Sequence, residues 1–237
     1  MPEYGRLGQD VLAHTLPALA PLYAAPPWPL KDVRILKILY ETDAAPVIQW
    51  LPPRLSRSAP PYASITVARY PESPVGPFSL AAQYIGCRAG MFVRAFTLQA
   101  VTDKTTALAA LREVWGYPCT LGSVALGDDG LKATVKSQAG ELLAEASIAD
   151  AKSIDPEAMR FDPVLNVRAV PSLEEGRTHD LLQLLQIDPE YEIGESLRGA
   201  GSLKLDGWGV LPVRNIISSV SCMVNTELPL ARFVLPY

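Results

Sequence analysis

The sequence predicts a β-dominated α+β fold, and three observations carry that reading. About ten segments alternate at period two or form short apolar runs, against two or three with helical spacing. Tight links such as Gly127-Asp128-Asp129-Gly130 favour strands that return beside their neighbours, and hence a largely antiparallel sheet. Twenty-two prolines are dispersed over 237 residues, which punctuates the chain into short elements with defined corners. Hydrophobic residues make up 49%, enough to build a sizeable core.

In chain order, residues 8–22 carry a helical pattern around Val11, Leu12 and Leu19, broken by Pro17, and residues 24–30 form a proline-rich lead-in. Residues 33–40 read as a strand that is apolar on both faces, and 42–50 as a short helix stopped by Pro52 and Pro53. Residues 64–70 alternate cleanly. Residues 78–84 and 91–101 are the next strands, with Gly86 and Gly90 between them. Asp103 is placed to cap a helix over 104–114. Residues 123–126, 131–136 and 142–148 form a meander around the Gly-Asp-Asp-Gly turn. Strands over 163–170, 181–187, 196–205 and 216–228 complete the list, and no composition shift divides the chain. The expectation is one domain over 1–237, with 1–30 as an N-terminal helical and proline-rich lead-in.

Several function classes have no support. Net charge is −4 without a basic run, so a nucleic-acid partner is not expected. No apolar run has the length of a membrane span, and Pro17 and Pro21 interrupt the N-terminal apolar stretch, so a cytoplasmic location without membrane contact is the expectation. Three widely spaced cysteines suit neither a disulfide framework nor a zinc knuckle. His14 and His179 have no metal-ligand spacing around them, so no metal is expected. Neither a dinucleotide fingerprint nor a Walker loop occurs, and no cofactor is expected. A Gly-x-Ser-x-Gly elbow is also missing.

Chemistry-bearing side chains concentrate around Arg112-Glu113-Val114-Trp115-Gly116-Tyr117-Pro118-Cys119-Thr120-Leu121. A helical run breaks there at an aromatic-Gly-Tyr-Pro corner. Arg112 either sits near the helix C-terminal carbonyls in a surface ion pair, or orients the corner or meets a substrate anion. Cys119 is a nucleophile-capable thiol, a partner for His179, or an inert lining group. Lys37 shares a strand face with Val33, Ile35 and Leu39, where a desolvated amine becomes nucleophilic unless its stem reaches solvent.

The corner resembles the acetoacetate decarboxylase family, whose members carry Arg-Glu-x-x-x-(Tyr/Phe)-Pro-Lys-Lys-Leu. Tyr40-Glu41-Thr42-Asp43 is similar to the family's Tyr-Arg-Thr-Asp, and residues 103–111 to the segment leading into its Gly-Arg-Glu. Residues 211–219, Leu-Pro-Val-Arg-Asn-Ile-Ile-Ser-Ser, resemble its Leu-Pro-Val-Lys-Glu-Ile-Val-Ser-Ser, and Leu228-Pro229 echoes a later Leu-Pro. The resemblance implies a closed, cone-shaped antiparallel β-barrel with a few flanking helices, often assembled as a homo-oligomer. It also implies a Schiff-base lysine at the first Lys-Lys position, which is Cys119 here, followed by Thr120. An ungapped alignment puts Ile65 and Leu80 where the family has two active-site carboxylates, and Val33 where it has an arginine, with Arg34 on the opposite strand face.

The expectation is therefore a reshaped, more apolar pocket on the family's scaffold. It is lined by Cys119, Thr120, Trp115, Leu80, Ile65, Gln83 and Tyr70, with Arg112, Tyr117, Tyr84 and Arg94 as catalytic candidates. Its function is read as a small-molecule biosynthetic cyclase, isomerase or dehydratase acting on an apolar polyketide-like or keto-acid-derived substrate. A non-catalytic small-molecule binding protein and a decarboxylase with a relocated lysine, Lys37 or Lys204, stand as alternatives.

Overall fold

The computed structural model describes residues 20–237, so His14 and most of the N-terminal helical reading lie outside the described residues. Strand β1 (Trp28–Glu41) begins earlier than its alternation suggests. The reason is a bulge. Its pairing with strand β12 (Ile216–Leu228) skips between Leu30 and Val33. Asp32 takes up the extra length at φ 52, a region that Asp tolerates better than most residues. The bulge inverts the side-chain parity, so Trp28 and Leu30 share one core with Val33 and Ile35.

Helix α1 (Ala44–Trp50) follows, then β2 (Ser56–Arg57) and β3 (Tyr62–Tyr70). Strands β4 (Phe78–Ala89) and β5 (Phe92–Thr102) form one long hairpin. Here the structure corrects the sequence reading, because β4 continues through Gly86 to a turn at Gly90, φ 61. Gly86 is required inside the strand because a Cβ there would stand 2.1 Å from the Tyr62 ring. Helix α2 (Thr105–Glu113) is flanked by Lys104 and has no side-chain cap. Asp103 instead accepts a hydrogen bond at 2.7 Å from the Ser79 amide, so it ties the helix entry to β4.

Strands β6 (Cys119–Leu126), β7 (Lys132–Ser137) and β8 (Leu142–Ser153) are the meander. A single 3-10 turn (Pro156–Ala158) leads to β9 (Val164–Pro171), β10 (His179–Ile187), β11 (Tyr191–Leu205), β12 and β13 (Phe233–Pro236). Pairing runs β1-β3-β4-β5-β6-β7-β8-β11-β12 and back to β1, so the sheet closes on itself. Strands β9, β10 and β13 branch from β5. The ring is not wholly antiparallel. Ala100–Thr102 of β5 run parallel to Cys119–Leu121 of β6, the geometry that the α2 crossover requires.

Two cores follow from the alternation. Leu36, Ile38 and Tyr40 of β1 join Ile65, Val67, Val124, Val135, Ala144 and Ile148 in the core that the ring encloses. Ile35 and Val33 face the other way, into a second core with α2, Trp115, Cys119 and Met159. The separated family motifs meet around the first core's rim: Arg214 clasps Asp43 with two hydrogen bonds, 2.9 and 2.6 Å, and Asn215 donates to Glu41 at 2.7 Å. No helix among the described residues is long and apolar enough to cross a membrane.

Candidate functional site

The second core is not filled. A largely enclosed cavity of about 90 Å³ lies on the outer face of β1, β3 and β4, beneath α2 and the corner. Its walls are apolar at Leu30, Val33, Ile35, Leu80, Leu111 and Val164. Polar groups enter from Lys37, Asp162, Ser64, Thr66 and four tyrosines, Tyr70, Tyr84, Tyr117 and Tyr191.

The corner is built to deliver Tyr117. Gly116 takes φ 66, and a Cβ there would stand 2.9 Å from the Arg168 amide nitrogen. The left-handed step lets the Tyr117 amide bond back to Leu111 O at 2.9 Å, closing the end of α2. Trp115 is fully buried, packs edge-on against Trp28 at 4.9 Å and donates its indole N–H to Pro229 O at 2.7 Å. Asn166 donates to Trp115 O at 2.8 Å, and Arg112 to Cys119 O at 2.9 Å. With the backbone held at these points, the Tyr117 ring reaches the cavity and its hydroxyl meets that of Tyr84.

Burial sets the protonation of the phenols and thiols. It pushes Tyr117 up to about 12 and raises Tyr84, Tyr70 and Tyr191 as well, so all four keep their protons at neutral pH. It also pushes the Cys119 thiol up to about 12, only partly countered by the Arg112 guanidinium. Cys119 is 1% exposed, its Sγ faces Thr120 O at 3.6 Å, and it lies behind the cavity wall. A thiol so placed is not a nucleophile near neutral pH.

Lys37 has the opposite balance. Its amine stands over the Phe161 ring, 5.1 Å from the centroid, and donates to Arg160 O at 3.5 Å. Burial lowers its pKa, with Asp162 and Cys222 opposing that shift. The strand register links it to the corner. Lys37 pairs with Thr66, Thr66 with Ala82, Ala82 with Ala100, and Ala100 with Cys119. Directly paired residues share a sheet face, so Lys37 and Cys119 end one cross-strand row.

The structure brings Tyr70, Tyr84, Tyr117 and Leu80 together on the cavity. It separates others from it. Ile65 faces the ring core, because parity makes Ser64 and Thr66 the cavity-facing residues of β3. Gln83 faces that core too, donating to Tyr40 at 2.8 Å and to Trp208 O at 3.3 Å. Arg94 donates to Gln186 at 2.9 Å, away from the cavity. Arg112 lines an open cleft outside the corner, and Thr120 is exposed. Trp115 supports the corner from behind. Arg34 pairs with Glu195 at 2.9 Å on the face opposite Val33. Lys204 is exposed and pairs with Asp206 at 3.1 Å. His179 opens β10 opposite Pro171. Among the described residues no cluster of three metal-ligating side chains occurs.

Sequence reasoning missed Phe161, Asp162 and Tyr191. The first two lie in the irregular stretch between the 3-10 turn and β9, where no periodicity reveals a face. Tyr191 stacks on Phe161 at 4.4 Å, and its place at the β11 start was the available signal.

The comparisons agree on the scaffold. The curated relative Decarboxylase DEC1 of Cochliobolus heterostrophus (strain C4 / ATCC 48331 / race T) is 25% identical over 214 residues, covering 84% of this chain and 83% of its own. The structure of an acetoacetate decarboxylase superposes with a TM-score of 0.87 at 19% identity, covering 98% of this chain and 99% of that one. The enduracididine biosynthesis enzyme MppR, complexed with pyruvate, gives a TM-score of 0.77 at 18% identity, covering 97% and 98%. Residues 15–236 match the family described as Acetoacetate decarboxylase (ADC), and the chain belongs to that family.

Proposed function

We propose that this protein is a small-molecule biosynthetic enzyme that binds a keto-acid-derived or similar apolar carbonyl compound in the cavity and acts on it as a cyclase, isomerase or dehydratase. The observation that carries this reading is the cavity itself: apolar walls, four protonated phenols and no amine at position 119. Phenols in a site shielded from water polarise a carbonyl oxygen and stabilise an enolate, and the walls hold one conformer. The volume narrows the substrate. About 90 Å³ is smaller than the ~150 Å³ apolar cavity that accepts benzene, so a short-chain keto compound fits better than an extended polyketide. MppR with pyruvate, and with the condensation product of pyruvate and imidazole 4-carboxaldehyde, supports a carbonyl substrate by analogy of scaffold.

Incubation with short 2- and 3-keto acids, alone and with an aldehyde, followed by mass spectrometry, tests this reading. Cyclised, isomerised or dehydrated products are expected, while saturable binding without turnover would mark a binding protein. A second reading, decarboxylation by a relocated lysine, is favoured by the position of Lys37 on the cavity and not by the exposed Lys204. We also infer self-association, because β13 ends the sheet with Phe233, Val234 and Leu235 exposed. A monomer mass by light scattering would contradict that.

A further inference from the structure

We propose that the ε-amine of Lys37 captures the substrate covalently, forming a Schiff base with a ketone or aldehyde carbon held in the cavity. This rests on the cavity reading above, but it assigns a bond-forming residue that serves cyclisation, isomerisation, dehydration or decarboxylation alike.

The placement comes first. Lys37 follows Val33 and Ile35 on the cavity face of β1, and all three line the cavity. The amine also borders a surface depression formed by Met159, Arg160, Arg198 and Val220. It therefore sits in the partition between the interior and solvent. A substrate carbonyl meets it from inside, and water reaches it from outside. The partition is the strap 159–163, whose Phe161 is wedged between the Lys37 amine and the Tyr191 ring.

The compensation of its charge is poor. Lys37 faces Thr66 from β3 and Val220 and Cys222 from β12, none of which is anionic at neutral pH. The strap contributes the Phe161 face, the Arg160 carbonyl at the long limit of 3.5 Å, and the Asp162 carboxylate. Arg198, from β11, adds a like charge to the depression. Among the described residues no carboxylate lies within 4 Å of the amine, so Asp162 acts on it only at longer range. This setting favours the neutral, nucleophilic amine, in agreement with the lowering of its pKa by burial.

The step balances without any redox partner. The neutral amine attacks the carbonyl carbon, and a proton passes from nitrogen to the former carbonyl oxygen. That oxygen leaves as water on taking a second proton, and the nitrogen remains as a cationic iminium. Solvent in the depression supplies and takes up the protons, and Asp162, the cavity carboxylate that acts on the amine at longer range, offsets the iminium charge. The iminium draws electrons from the adjacent carbon, which allows loss of a proton or of a carboxyl group there. Hydrolysis through the depression restores the amine. Cys119, at the far end of the row, has no role in the bond.

The test is reductive trapping. The intact protein is incubated with pyruvate or acetoacetate and sodium borohydride, digested, and mapped by mass spectrometry. The expected result is the reduced adduct on the peptide containing Lys37, lost in Lys37→Met and Lys37→Arg and retained in Lys204→Met. Labelling should rise with pH through a midpoint below that of an ordinary lysine. Thermal melting of each variant separates loss of label from loss of fold. If Lys37→Met unfolds, competition by pyruvate against amine-specific acetylation of wild-type Lys37 gives the same reading: protection supports the proposal and its absence opposes it. Saturable ligand binding with no adduct, or an adduct on another lysine, overturns the covalent role and leaves the cavity reading standing. Neither binding nor adduct with either keto acid overturns the cavity reading and this inference together.

Discussion

Tyr84 and Tyr117 meet hydroxyl to hydroxyl on the cavity, one presented by β4 and the other by the left-handed corner after α2. The Tyr117 hydroxyl is approached by both Tyr84 and the Asn166 side chain, and it stands on the cavity wall where a ligand would meet it. Tyr117→Phe is expected to lower kcat about 10²-fold, with KM changed far less. Tyr84→Phe should have a smaller effect, since it acts through Tyr117. Melting curves should shift little for either variant. Equal kcat in wild type and Tyr117→Phe would remove this phenol from the mechanism.

The Cys119 thiol is expected to be silent. Cys119→Ala should keep activity within a few-fold and cost about 1–2 kcal/mol of stability through lost packing. Thiol reagents at pH 8 should label none of Cys87, Cys119 and Cys222 until the chain is unfolded, since all three are buried with raised pKa values. Fast labelling of Cys119 in the native protein would contradict the burial described.

Stability should show two pH effects of opposite sign. Cys119, ordinarily near 9.0, and Tyr117, ordinarily near 10.0, are both raised to about 12 by burial. Their contribution is full below those ordinary values and is lost as pH climbs toward 12, so wild type should weaken above about pH 9. Lys37 is lowered from 10.5, so between its folded value and 10.5 the unfolded chain binds more protons. Its contribution therefore improves as pH rises. Lys37→Met is expected to gain most over wild type at neutral pH, with the gap closing toward pH 10.5 in urea titrations. A gap independent of pH would argue against a desolvated amine.

The corner should be intolerant of small changes far from any ligand. Gly116→Ala meets both a left-handed φ and the Arg168 backbone, and is expected to cost roughly 2–4 kcal/mol. Arg112→Ala loses one hydrogen bond to Cys119 O and should cost about 1 kcal/mol. Thermal melts decide both. An unchanged Gly116→Ala melt would mean that the corner relaxes.

Local pattern revealed much of this architecture, and non-local pairing hid the rest. The alternation over 64–70 located β3, and the Gly-Asp-Asp-Gly turn located the β6–β7 hairpin. The scattered family motifs became intelligible once Arg214 was seen to clasp Asp43, a surface pair that joins two segments far apart in sequence. Asp103 has the residue type of a helix cap, yet the Ser79 amide captured its carboxylate instead. That competition comes from a strand 24 residues away. Gln83 and Ile65 have chemistry or alignment suited to a pocket but the wrong parity on their strands. Lys37 had the right parity, and only the fold shows that its face covers a cavity, with the amine at the boundary to a surface depression. Asp162 left no pattern at all, because an irregular strap has no period to read.

A keto compound is expected to bind in the cavity under the corner, and not in the open cleft outside it. A crystal structure of the protein soaked with pyruvate tests this most directly. Ligand density is expected inside the cavity, between Lys37 and the Tyr84–Tyr117 pair. Density confined to the outer cleft, against Arg112 and Arg168 with the cavity vacant, would contradict it.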